Sequence, residues 1–246
     1  MLDKSEVARW LSELVSRLQA AFGSRLLLVV HVGSWARDDA NAHSDIDVNV
    51  ILDRVTPEDI ATYRAIVNEM PDRQLACGYL GGLNEIRLWP RYDLTAFYYG
   101  SEVLYGDMVD IVGPIVQRDV FDNAMVALSS VNHAVRHAMI YDESITAAAH
   151  AARDLYKVAF FVIQAWHLMT SGEYVAKKRV LAERTAFPED RLVIQRFKHW
   201  DEDTERREEA PLDTLLLLER WSSGMFDRMA LALTFVPPTK YVSSHT

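Results

Sequence analysis

Three features of this 246-residue chain bring together residue types that do chemistry: the turn Gly33-Ser34, the basic Arg37 just after it, and the triplet Asp45-Ile46-Asp47 eight residues beyond Arg37. Side chains alternate across a strand, so Asp45 and Asp47 share one face with their carboxylates near one another. Such a pair repels itself unless a cation lies between or beside it. Hard oxygen ligands at a shallow site suit Mg²⁺, which is commonly held by one or two carboxylates plus substrate phosphates. Glycine lets the backbone approach closely, N–H groups at a turn bind phosphate oxygens, and Ser34 adds a hydroxyl donor. A phosphate cradle beside a carboxylate pair is a site for a metal-bound nucleotide.

The elements that must position these residues are legible on either side. Residues 25–32 form an apolar, β-branched run too short for a typical helix, which predicts a buried strand ending at the Gly-Ser turn. From Asp45 to Leu52, Ile46, Val48 and Val50 alternate with Asp45, Asp47 and Asn49, which predicts a second strand with one apolar face. The spacing predicts an amphipathic helix over 3–22 that opens on Asp3 and Glu6. Thr56-Pro57-Glu58-Asp59 is a helix start, with the helix running to about Met70. A third strand is expected over 74–80, ended by Gly81-Gly82. Residues 84–90 are ambiguous between strand and helix, 93–99 read as a short helix, and 102–105 as a strand closing at Gly106.

From about Val116 the pattern changes to long helical periodicities with few glycines. Helices are expected over 121–141, 144–170, 174–186, 189–199 and 212–235, with Gly172, Pro188 and Pro211 as punctuation. The expected architecture is therefore α+β. A small mixed-sheet domain over 1–112 precedes an all-α bundle over 113–246, with a short polar tail from Pro237.

Composition narrows the function classes. The formal charge of −9 argues against a nucleic-acid backbone as main partner and is compatible with a cationic small substrate. The single Cys77 excludes an internal disulfide framework and a multi-cysteine zinc site. His133 and His137 lie one helical turn apart without an evident third ligand. No membrane-length run and no leader pattern opens the chain, so the expectation is a cytoplasmic enzyme with no membrane partner. The acid-rich run 201–209 reads as a solvated face, and oligomeric state is not specified.

The Gly-Ser turn, spacer and Asp-x-Asp, with Ser44 leading into Asp45, resemble the nucleotidyltransferase superfamily that includes DNA polymerase β and the aminoglycoside nucleotidyltransferases. The resemblance implies that a substrate hydroxyl attacks the α-phosphorus of a nucleoside triphosphate and pyrophosphate leaves. Asp45 and Asp47 would bind Mg²⁺, two ions in all, Gly33 and Ser34 would hold the triphosphate, and Lys177 or Arg37 would neutralise charge. The superfamily adds a third carboxylate from a neighbouring strand. The run 74–80 has no acid, which leaves Glu85 as nearest candidate and Asp93 as the next.

In the helical half, Trp166, Gly172 and Lys177 look like the helix, glycine break and lysine of the streptomycin and spectinomycin adenylyltransferases. That match gives Lys177 the triphosphate and Asp154 an aminoglycoside acceptor. The implied co-substrates are ATP and a small cationic alcohol. Two other readings remain open: a protein-hydroxyl adenylyltransferase of antitoxin type, and a catalytically degenerate nucleotide-binding module.

Overall fold

A computed structural model describes residues 2–41 and 44–236. Ala42 and His43 of the polar connection, and the tail from 237, lie outside the described residues. The chain divides into two compact units, Met1–Ile115 and Val116–Thr246.

In the first unit, α1 (Lys4–Phe22) opens on a complete capping box, with Asp3 accepting from the Glu6 N–H and Glu6 reaching back to the Asp3 N–H. Strand β1 (Leu26–Val32) runs straight into the short helix α2 (Gly33–Ala36), and β2 (Ile46–Leu52) returns antiparallel beside β1. Helix α3 (Pro57–Glu69), capped by Thr56, carries the chain across to β3 (Ala76–Gly82). A helical crossover of that length permits parallel pairing, and β2 and β3 are parallel. Helices α4 (Leu83–Leu88) and α5 (Arg91–Tyr99), strand β4 (Glu102–Gly106) and helix α6 (Met108–Val112) complete the unit. Strand order is β3-β2-β1-β4. The ambiguous stretch 84–90 is thus mostly helix. Gly81 and Gly82 belong to β3, paired with Ile51 and Leu52, because the parallel ladder continues through them.

The pleat sorts β2 between two cores. Ile46, Val48, Val50 and Leu52 pack with Val7, Leu11, Leu14 and Leu18 of α1. Ile51 packs on the other face with Leu28, Val30, Ile86, Leu94 and Phe97. Asp47 and Asn49 share the face of Ile51 by alternation and are half-buried.

The second unit is helical: α7 (Gln117–Tyr141), α8 (Ile145–Ala151), α9 (Arg153–Ser171), α10 (Lys178–Arg184), α11 (Pro188–Lys198), α12 (Thr204–Glu209) and α13 (Pro211–Ala232). Two expected helices are cut. The run 144–170 divides at Ala152, where buried Ala149 and Ala152 make close packing possible and Tyr156 reaches the Thr214 carbonyl at 2.9 Å. The run 174–186 loses its first turn. Left-handed Gly172 ends α9, and the buried Gln164 amide then donates to the Val175 and Ala176 carbonyls at 2.8 and 3.3 Å, holding that segment out of helix. In the acid run, Arg207 is buried and its guanidinium lies 4.2 Å from the Trp200 ring centroid. No described helix is long and apolar enough to cross a membrane.

Candidate functional site

The end of β1 and the start of β2 lie opposite one another, with Val32 paired to Asp47. Gly33 therefore turns directly over Asp47. Its φ is +79°, and a methyl built on its Cα would lie 2.0 Å from Asp47 Oδ2. Any side chain there would be strained by the left-handed backbone and would collide with the carboxylate. The turn is tied to the other half of the motif by Trp35, whose indole N–H donates to the Ser44 carbonyl at 3.3 Å, one residue before Asp45. The Ser44 hydroxyl accepts from the Asn41 N–H at 2.9 Å and folds the approach to the strand. Just past α2, the Arg37 N–H donates to the Gly33 carbonyl at 3.3 Å and the Asp39 N–H to the Ser34 carbonyl at 2.9 Å.

Asp45 is exposed and Asp47 half-buried, and neither forms an ion pair with a described cation. The parallel register puts Cys77 directly beside Asp47. Burial, followed by the negative charge of Asp47 and its hydrogen bond, pushes the Cys77 thiol up, and Asp45 adds to the shift. The expected strand from Asp45 begins one residue later, at Ile46, so Asp45 lies just before β2. The residue of the neighbouring strand that pairs with Asp47 is Cys77, not an acid. Register is what reveals it, and the run 74–80 alone shows only that no acid is present.

Glu85 is elsewhere. It caps α4, accepting from the Gly82 N–H at 3.0 Å and from the Tyr79 hydroxyl at 3.4 Å. Gly82 pairs with Leu52, five residues along β2 from Asp47, a separation of roughly 16 Å at strand rise. The structure therefore does not bring Glu85 to the aspartate pair. Asp93 is exposed in the first turn of α5. Among the described residues no three His, Cys, Asp or Glu side chains are placed to hold a metal. The pair nonetheless suits an ion that takes two protein carboxylates and completes its shell with phosphate oxygens and water, since two acids without an ion pair among the described residues sit at a turn open to close approach.

In the second unit, Lys177 is exposed at the N-cap of α10. Asp154 is exposed in the first turn of α9.

A family model described as a nucleotidyltransferase domain matches residues 11–119. No curated protein matches the chain. Among solved structures, spectinomycin adenyltransferase AAD(9) from Enterococcus faecialis, crystallised with ATP and spectinomycin, is 14% identical. The match covers 88% of this chain and 99% of that one with a TM-score of 0.47. At that level neither residues nor activity carry across.

Proposed function

We propose that this chain, a nucleotidyltransferase by the domain at residues 11–119, moves AMP from ATP to a hydroxyl of a cationic amino-sugar alcohol of aminoglycoside type. The observation that supports this most is the packing of Gly33 against Asp47, with Trp35 tying the turn to Ser44, the residue just before Asp45. It leaves a side-chain-free backbone beside two carboxylates that have no described cation partner.

In this reading Asp45 and Asp47 would hold Mg²⁺, two ions in the full complex, while Gly33, Ser34 and Arg37 would face the triphosphate. Bound there, the metal would supply charge neutralisation at the phosphates and would lower the pKa of the acceptor hydroxyl. The acceptor oxygen bonds to the α-phosphorus, the bond to the β-phosphate oxygen breaks, and pyrophosphate leaves. The hydroxyl proton goes to solvent, because Glu85 caps α4 away from the pair. Lys177 supports the leaving phosphates, and Asp154 attracts an ammonium group of the acceptor.

Cys77 beside Asp47 favours one second reading, a nucleotide-binding module that has lost transfer. Pyrophosphate release with ATP and Mg²⁺, measured across a panel of aminoglycosides, decides between them. Acceptor-dependent release supports transfer. ATP binding without release to any aminoglycoside or protein hydroxyl supports the second reading.

A further inference from the structure

The helical unit contains a cleft of about 730 Å³ walled by α10, α11, α12 and the first half of α13. Its lining is basic, although the whole chain carries −9. Lys178 and Arg179 come from α10, and Arg191, Arg196 and Lys198 from α11. Arg206 and Arg220 extend the set from α12 and α13. Three acids, Glu183, Asp203 and Asp213, stand against these seven cations.

Some of the cations are committed to the fold. Arg179 pairs with Glu183 at 2.8 Å, and Arg191 donates to the Ala182 and Thr185 carbonyls at 3.0 and 3.4 Å. Lys178 lies 4.9 Å from the Phe197 ring centroid. Arg196, Lys198, Arg206 and Arg220 differ, since no described carboxylate forms an ion pair with any of them. Like charges gathered in a concave wall cost repulsion and focus a positive field into the cleft. Arginine's planar fork matches phosphate oxygens in particular.

Size and surroundings restrict the ligand. The volume falls in the range that encloses a small molecule. Outside the cleft, Asp201, Glu202, Glu205, Glu208 and Glu209 are exposed around Arg206. A nucleic-acid strand would carry its phosphates past these acids, whereas a compact anion need not.

We infer that this cleft binds a compact polyphosphate: three or more linked phosphates, free or carried by a nucleotide. The lining contains neither Lys177 nor Asp154, and the inference stands whether or not the Asp45/Asp47 pair transfers AMP.

The test titrates sodium tripolyphosphate into the full chain by calorimetry, with EDTA present, at about 0.05 and 0.3 M salt. Wild type should bind, and more weakly at the higher salt. The exposed pair Lys198→Gln/Arg220→Gln should weaken binding at least about tenfold with its melting curve unchanged. The variant Asp45→Asn/Asp47→Asn should bind as wild type does. ATP titrated into that aspartate variant distinguishes the sources: equal affinity marks the phosphate chain alone, and tighter binding marks a nucleotide. Absence of binding in wild type, equal binding by the Lys198/Arg220 variant, or loss of binding in the aspartate variant would overturn the inference. Tighter binding of poly-uridylate than of tripolyphosphate would overturn it in favour of a polymer. Should the double variant fail to fold, Lys198→Gln alone decides by the same comparison.

Discussion

Two sets of aspartates are treated in opposite ways. In the helical unit, Asp190 is fully buried and every oxygen is matched. Arg228 donates to both carboxylate oxygens at 2.7 and 2.8 Å, the Trp221 indole N–H at 2.8 Å, and the Thr185 hydroxyl at 3.0 Å. Asp59 in the first unit is similar, with a two-pronged pair to Arg25 at 2.8 Å on each arm and the Thr56 N–H at 2.9 Å. Asp45 and Asp47, by contrast, have no described ion-pair partner, and Asp47 lies against the Gly33 backbone and the Cys77 thiol. A buried acid without compensation is costly, so the fold completes the shell of each structural carboxylate. Acids left incomplete at a surface turn are available to something outside the protein.

That contrast is open to direct attack. The largest effect is expected at the incomplete pair. Asp45→Asn or Asp47→Asn should cut turnover by about a hundredfold or more, with melting unchanged or raised, because each exchange removes a metal ligand and relieves repulsion. Turnover and melting are read on the same preparations, and a mutant with normal turnover would return that residue to the ordinary surface.

The complete shell should respond in the opposite sense. Asp190→Ala strands the Arg228 guanidinium, whose side chain is only 13% exposed, and should cost about 3–5 kcal/mol in denaturant melts. At temperatures where the variant remains folded, turnover per folded molecule should stay close to wild type.

Asp59 sharpens the same point through pH. The hydrogen bond from Arg25 holds its carboxyl well below the usual carboxylate range. A carboxyl depressed on folding stabilises fully above its ordinary value of about 4, and that stabilisation is lost as pH falls below it. Melting temperature should therefore decline in acid more steeply for wild type than for Asp59→Asn. Parallel pH profiles would remove Asp59 from the account.

Smaller effects concern the proposed acceptor side. Asp154→Asn should raise the KM for an aminoglycoside several-fold and leave the KM for ATP nearly unchanged, with the acceptor's affinity weakening as salt screens the attraction. Equal kinetics in mutant and wild type would leave Asp154 an exposed helix acid.

The smallest effect is expected at Glu85. Glu85→Gln keeps a capping acceptor and should lower stability by about 1 kcal/mol or less, without lowering the rate. A collapse in rate at unchanged melting would make Glu85 the base after all.

Local order carried much of the first unit. Asp3 with Glu6, and Thr56 with Pro57, mark helix starts through bonds spanning three residues, and the structure closes both capping boxes. The alternation from Ile46 to Leu52 specifies which side chains share a face because pleat has a period of two. Gly33-Ser34 and Asp45-Ile46-Asp47 stand in the sequence as a motif for the same reason: each half is short and contiguous. Tertiary structure decided what lies beside them. Cys77 reaches Asp47, and Glu85 the far end of the strand, only through the parallel register that the α3 crossover allows. Gln164 holds residues 175 and 176 out of a helix that their own periodicity favours, since a buried amide must satisfy its donors. The shell of Asp190 and the basic cleft gather side chains from helices far apart in sequence. Convergence of that kind depends on how helices pack, which no local period encodes.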